Sequence, residues 1–278
     1  MTPDATITLN NGIRMPRLGF GVSEARDAHA SVAEALARGY RSIDTAAVYG
    51  NEEGVGRALA ESGLRRDELF VTTKVWNGAA GCEHALQCAE QSLERLGLDH
   101  VDLYLVHWPA DELEQCVRTW AAMEQLHADG RARAIGVSNF RVGHLQRVLD
   151  LGGVTPAVNQ IELHPHLQQH ELRALHAEHG IVTEAWSPLG RGAVLDEPVL
   201  AEIAARLGRS PAQVVLRWHL QQGTVVIPKS DSPARIRENR SVFDFGLTAR
   251  DMAAIDDLHV ADGAGRIGPV ADEPVLAA

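Results

Sequence analysis

Cysteine is scarce in this 278-residue chain, basic charge is in deficit, and long apolar runs are missing. The three cysteines, Cys82, Cys88 and Cys116, form no C-x-x-C pair. That excludes a disulfide scaffold or a vicinal redox pair and predicts reduced thiols used for packing. A formal net charge of −11 excludes the basic face that nucleic acid or an anionic membrane would demand. No stretch reaches the roughly 18 apolar residues of a membrane span. The opening residues, Met1 to Pro16, carry no basic segment followed by an apolar run, so they do not read as a signal peptide. There is no linker, low-complexity tract or repeat, so residues 1–278 are expected to form one domain. The expectation is a soluble cytoplasmic monomer whose partner is a small molecule.

What the chain does have is alternation. Thr6–Leu9 and Ile13–Pro16 flank Asn10-Asn11-Gly12, a hairpin signal with glycine supplying a positive φ. Eight short apolar runs follow: Arg17–Gly21, Tyr40–Thr45, Leu69–Val75, Val101–Trp108, Ala132–Ser138, Ala157–Leu163, Ile181–Ser187 and Thr224–Pro228. Amphipathic stretches separate them, at Ala28–Arg38, Glu53–Glu61, Glu83–Leu96, Leu113–Asp129, Val142–Leu151, Glu171–His179 and Pro211–Gln222. Ser210 before Pro211 is a helix start with Pro at the first helical position. Strand runs each followed by a helix predict an α/β fold, a (β/α)8 TIM barrel with an N-terminal hairpin. The alternative is a doubly wound open sheet, but nothing marks a break into two halves. The tail from Ala261, rich in Gly, Ala and Pro, reads as a surface segment over the barrel.

In a parallel barrel the active site lies at the C-terminal ends of the strands. There the sequence places Asp44 (second run), Tyr49 (its loop), Lys74 (third run) and His107 (fourth run). Singly, each has an ordinary explanation: a capping Asp, a packing Tyr, a solvent-reaching Lys, a satisfied core His. Together at one rim they point to a site, because titrating groups cluster where chemistry is done. Reduction of a carbonyl needs a hydride donor and an acid for the developing alkoxide. A free Tyr, titrating at about 10, is too weak an acid. A Lys ammonium beside it favours the phenolate, an Asp keeps that ammonium charged and placed, and a neutral His polarises the carbonyl oxygen.

Three segments carry a resemblance. Ser42-Ile43-Asp44-Thr45-Ala46-Ala47-Val48-Tyr49-Gly50-Asn51-Glu52, Thr73-Lys74-Val75-Trp76-Asn77 and Leu103-Tyr104-Leu105-Val106-His107-Trp108-Pro109 resemble the tetrad segments of the aldo-keto reductases. The resemblance runs from the hairpin to about Arg266. It implies Asp44, Tyr49, Lys74 and His107 as the catalytic tetrad, with Tyr49 the proton donor in the NADPH-dependent reduction of an aldehyde or ketone. Trp76 and Trp108, with His107, would line the substrate pocket, core packing being the alternative for the tryptophans.

Ile227-Pro228-Lys229-Ser230, then Arg235, Glu238 and Asn239, bring two cations and a hydroxyl to the last strand end, a set suited to a phosphate monoester. A solvated basic loop is the plain alternative. The stretch is similar to the family's adenosine-phosphate motif. By that match Lys229, Ser230 and Arg235 hold the 2′-phosphate and Glu238 and Asn239 meet the adenine, which favours NADPH. Ser138, Asn139 and Gln160 resemble the residues that bind the nicotinamide carboxamide. Trp186, followed by Ser187 and Leu189, stands where most members carry a Tyr stacked on the ring. Gly190-Arg191-Gly192 reads either as a loop over the cofactor or as a surface turn.

Within the family, Ala157–Pro165, Val215–Gln221 and Asp262–Arg266 are similar to the bacterial 2,5-diketo-D-gluconate reductases, which implies keto-sugar acids as substrates. The loop Gly21–Asp27 departs, being shorter and without an aromatic near Ser23, so that one wall of the pocket is open.

Three other readings compete. His164-Pro165-His166, with His170, His176 and His179 near in sequence, raises a zinc hydrolase, but no H-E-x-x-H is present and the helical histidines face different ways. A nucleotide-binding regulatory barrel would have no need of the Asp, Lys and Tyr set. Gly263-Ala264-Gly265-Arg266-Ile267-Gly268 matches G-x-G-x-x-G, yet it follows no strand and opens no helix.

Overall fold

A computed structural model describes residues 5–76, 81–110 and 113–269. Asn77, the side chains of Cys82 and Cys116, and the tail beyond residue 269 lie outside the described residues.

The hairpin pairs β1 (Thr6–Thr8) with β2 (Arg14–Pro16) in antiparallel register. Its turn closes with Gly12 N–H donating to Leu9 O at 2.9 Å, and Gly12 alone takes a positive φ, +85°. This is a three-residue loop with glycine in the left-handed position. Asn10 Nδ2 donates to Pro156 O at 3.0 Å and Asn11 Nδ2 to Arg133 O at 3.1 Å, which fixes the hairpin under the strand N-termini.

Eight strands follow, every neighbouring pair parallel: β3 (Phe20–Gly21), β4 (Ser42–Asp44), β5 (Phe70–Val75), β6 (Val101–Val106), β7 (Ala132–Ser138), β8 (Val158–Glu162), β9 (Val182–Trp186) and β10 (Val225–Val226). A parallel bridge between Leu18 and Val226 joins the first strand to the last. Gly21 sits at that seam, where a Cβ would stand 2.9 Å from Ile227 O. The sheet is therefore a barrel, as the sequence predicts.

Alternation along the strands divides the core. Phe70, Leu103, Leu105, Val158 and Val182 form one buried cluster with Leu9 and Met15 of the hairpin, filling the barrel's lower half. Their neighbours Val71, Tyr104 and Ile161 belong to a second cluster, shared with helix residues such as Val32, Leu93 and Met123.

The outer helices are α1 (Ala28–Ala37), α2 (Glu52–Glu61), α3 (Gly81–Leu96), α4 (Leu113–Ala128), α5 (Val142–Asp150), α6 (His170–Glu178), α7 (Pro198–Leu207), α8 (Pro211–Gln221), α9 (Pro233–Arg240) and α10 (Ala249–Asp256). Ser210 caps α8 as expected, its Oγ accepting from Gln213 N–H, with Pro211 next. Two helices correct the one-strand, one-helix expectation. α7 is an extra helix between β9 and α8, with Pro198 in its first turn and Gly208 closing it in the left-handed region. α10, capped by Thr248 and Asp251, packs against α7 after α9. No helix among the described residues is long and apolar enough to cross a membrane.

Candidate active site

The chain contains only two lysines, Lys74 and Lys229. Both stand at the C-terminal side of the barrel strands, one inside the barrel and one on its surface. Lys74 ends the inward row of β5 and is wholly buried. Its Nζ donates to Asp44 Oδ1 at 2.6 Å and to Thr45 O at 2.9 Å. It also stands 5.3 Å from the centre of the Tyr49 ring. Tyr49 arrives on a 3-10 turn, Ala47–Tyr49, which Gly50 ends with φ +62°. Burial is the largest influence on Lys74 and works against its charge, but Asp44, then Tyr49, hold its pKa above the ordinary lysine value. An ammonium is kept there because its counter-charge is kept beside it.

The phenol of Tyr49 corrects the sequence expectation. Burial, its largest influence, raises its pKa, and Lys74 only works against that rise. The group therefore rests as a neutral O–H, with Ser23 and Lys74 beside it opposing the rise. In the sequence, Ser23 stands out only for the aromatic its loop lacks. His107, one residue past β6, packs its ring edge-on to Tyr49 at 5.6 Å and to Trp76 at 5.4 Å. Burial first, then Lys74, hold its pKa well below the usual histidine value, so the ring is neutral. Its Nδ1 has no hydrogen-bond partner among the described residues. Trp108 follows it, half-buried.

A second group gathers beside the first. Ser138 Oγ donates to Gln160 O at 2.9 Å. Asn139 Nδ2 donates to His107 O at 2.9 Å, and its Oδ1 accepts from Trp186 Nε1 at 2.8 Å. Asn139 thus ties together the ends of β6, β7 and β9. It does so at φ +62°, a left-handed conformation that asparagine tolerates better than most residues. Gln160 Nε2 reaches down to Asp44 Oδ2 at 2.8 Å. Beyond Trp186, Ser187 takes φ +46° and accepts from Gly190 N–H, while Leu189 O accepts from Gly192 N–H. The loop Gly190–Gly192 is a 3-10 turn whose Arg191 meets Glu24 of the Gly21–Asp27 loop at 3.3 Å.

At the end of β10, Ser230 Oγ accepts from Arg235 Nε at 3.1 Å and from Ser232 N–H at 3.1 Å. Lys229 Nζ is paired with Asp231 Oδ2 at 2.7 Å. Arg235 is exposed in the first turn of α9. Glu238 accepts a short hydrogen bond from Ser210 Oγ, and Asn239 is buried on the same helix.

The Aldo/keto reductase family profile matches residues 12–260. The chain belongs to the aldo/keto reductase family. It is 51% identical over 271 residues to the glyoxal reductase of Bacillus subtilis (strain 168), covering 96% of each chain. It is 49% identical over 273 residues to methylglyoxal reductase DkgA of Yersinia pestis, covering 97% of each. The crystal structure of a Gox0644 point mutant in complex with NADPH superposes with a TM-score of 0.91 at 46% identity, covering 98% of both chains.

Other features of this aldo/keto reductase went unread in its sequence. Glu184 is a fully buried carboxyl inside the barrel, bonded to Gln160 Nε2 at 2.8 Å. Its alternation with Val182 and Trp186 was the available signal. Glu162, equally buried, accepts N–H bonds from Ile267 at 2.7 Å and Gly268 at 2.9 Å, and Arg266 lies 3.6 Å away. The Gly263–Gly268 motif is thus part of a strap pinned to the β8 end, and it begins at the last residue of the 3-10 turn Ala261–Gly263 that follows α10. The histidines do not converge. His164 donates to Glu162 at 3.1 Å, His166 pairs with Glu197 at 2.8 Å, and His176 lies between Asn159 and Thr183. Among the described residues no group of three or more His, Cys, Asp or Glu is placed to hold a metal ion.

Proposed function

We propose that this aldo/keto reductase reduces small vicinal dicarbonyl compounds to hydroxycarbonyls with NADPH, using Tyr49 as the acid. As a family member it is an NADP-dependent oxidoreductase acting on carbonyl groups. The observation that carries the assignment of roles is the buried Asp44–Lys74 pair set against Tyr49, with neutral His107 edge-on to the same phenol.

The residues present fit the cofactor. Arg235, Ser230 and Lys229 offer a guanidinium, a hydroxyl and an ammonium at one strand end, the donor chemistry a 2′-phosphate needs. Glu238 and Asn239 border the adenine side. Ser138, Asn139 and Gln160 hold the carboxamide, and the Trp186 indole, fixed through Nε1 by Asn139, offers a flat face to the ring, with Ser187 and Leu189 beside it. When bound, NADPH supplies a hydride to the substrate's carbonyl carbon.

The protein does the rest. Neutral His107 donates a hydrogen bond to the carbonyl oxygen and orients it. As negative charge grows on that oxygen, the Tyr49 O–H gives up its proton to it. The Lys74 ammonium stabilises the phenolate left behind, and Asp44 keeps that ammonium in place. Trp76 and Trp108 line the mouth and exclude water from the transfer.

The substrate class rests on the relatives named glyoxal and methylglyoxal reductases. Keto-sugar acids, suggested by the Asp262–Arg266 stretch, are the second reading. Against it, Arg266, the one cation of that stretch, lies against buried Glu162 and is not left for a substrate carboxylate. The reading takes residues 1–278 as one unit, monomeric and cytoplasmic, and sedimentation checks the monomer. The deciding experiment follows NADPH consumption with glyoxal, methylglyoxal, 2,5-diketo-D-gluconate and simple aldehydes. We expect the highest kcat/KM for methylglyoxal. A higher value for the sugar acid would reverse the order of the two readings.

A further inference from the structure

Glu184 has no part in the proton transfer described above, yet it lies at the centre of the barrel and is fully buried. Its Oε2 accepts from Gln160 Nε2 at 2.8 Å, and the same nitrogen donates to Asp44 Oδ2 at 2.8 Å. A primary amide has two N–H donors and one carbonyl acceptor. Both donors of Gln160 are therefore committed to the two carboxyl groups, and Oε1 is the one polar atom of that side chain left for a ligand. With Asp44 alone, the amide would be held by a single bond and could turn about its last torsion, which is soft for glutamine.

We propose that Glu184 is a positioning residue for the cofactor: by taking the second N–H of Gln160 it commits Gln160 Oε1 to accept from the amino group of the nicotinamide carboxamide. The proposal rests on the NADPH reading above. It makes the barrel floor selective, because a ring substituent without an N–H gains nothing from an oriented acceptor.

The charge state suits the task. Burial, then the neighbouring Asp44, push the Glu184 carboxyl up to about 8. At neutral pH it is an uncharged acceptor, and the Lys74 charge remains matched to Asp44 rather than shared with a second anion. Glu184 Oε1 has no hydrogen-bond partner among the described residues, so Gln160 is the contact through which the carboxyl acts.

The test compares NADP+ with its 3-acetylpyridine analogue, which carries an acetyl group in place of the carboxamide and so has no N–H to offer. Dissociation constants are read from quenching of Trp emission, with no turnover needed. Wild type should bind NADP+ more tightly. Glu184→Leu should weaken NADP+ about tenfold, the size of one net hydrogen bond, and leave the analogue within about twofold. Glu184→Gln, which restores an uncharged acceptor oxygen, should recover the wild-type preference. Glu184→Ala takes the place of the leucine variant should that fail to fold. Equal losses for both nucleotides, or a glutamine variant as weak as leucine, would overturn the proposal. Wild type binding both nucleotides equally would overturn it too, while sparing the cofactor reading. Wild type binding neither would overturn the cofactor reading itself.

Discussion

Lys74 Nζ and Asp44 Oδ1 stand 2.6 Å apart with neither side chain more than 4% exposed. Two charges are tolerated at such a depth only as a pair, and the loss of one member leaves an uncompensated charge costing roughly 3–5 kcal/mol. Lys74→Met should therefore abolish turnover and lower the melting temperature. Asp44→Asn combined with Lys74→Met should restore much of the stability and none of the activity. A double variant no more stable than Lys74→Met in urea unfolding would show that the two charges are not coupled.

Tyr49→Phe removes one hydroxyl from a ring that packs edge-on to His107. We expect NADPH affinity within about twofold of wild type and kcat reduced by at least the roughly hundredfold typical of a lost general acid. Stopped-flow measurement of a single turnover separates this from slow product release. Near-normal turnover would place the acid elsewhere.

The proposed phosphate end holds a built-in opponent. Asp231 occupies Lys229 at 2.7 Å and also accepts from Arg26 N–H at 3.3 Å. Asp231→Asn should tighten NADPH several-fold with little change for NADH, because a negative charge beside the proposed phosphate site is removed. Arg235→Ala should weaken NADPH by about tenfold to a hundredfold, with NADH again nearly unchanged. Fluorescence titration with both nucleotides checks the pair of variants. Equal changes for NADPH and NADH would mean that these residues shape the loop without reading the phosphate.

Stability should fall on acidification through two buried histidines. Burial holds His176 at about 4 and His219 at about 3, against about 6.5 in the unfolded chain. Between those values the unfolded state binds more protons, so the contribution is complete above pH 6.5 and is lost as pH drops toward 4 and then 3. Glu184 has the opposite sign. Its raised pKa makes the folded state the better proton binder, so stability declines as pH rises from about 4.5 to about 8. The two limbs overlap, and because two histidines outweigh one glutamate below pH 6.5, thermal melts should peak at about pH 6.5. His219→Gln, which keeps a donor for Pro188 O, should flatten the acid limb, and Glu184→Gln the alkaline one. Unchanged slopes in both variants would assign the pH dependence to other groups.

Much of this protein was decided by one-dimensional pattern. Eight apolar runs separated by amphipathic stretches can bury both sheet faces only with helices outside, and the strand ends then place Asp44, Tyr49, Lys74 and His107 on one rim whatever the details. The cap at Ser210 was equally local, a matter of one hydroxyl and one N–H. Even α7 and α10 carried legible signals: Pro198 and Gly208 at the ends of one, and a Thr248–Asp251 capping box starting the other. Tertiary structure alone decided what each polar group meets. No spacing rule links Glu184 to Gln160 and Asp44, or Glu162 to the backbone of Ile267 and Gly268, because those contacts join strands and tail far apart in sequence. Nor could the sequence give the sign of the Tyr49 shift. Lys74 pulls the phenol one way, but closure of the barrel removes the water that would solvate a phenolate, and burial is the larger effect.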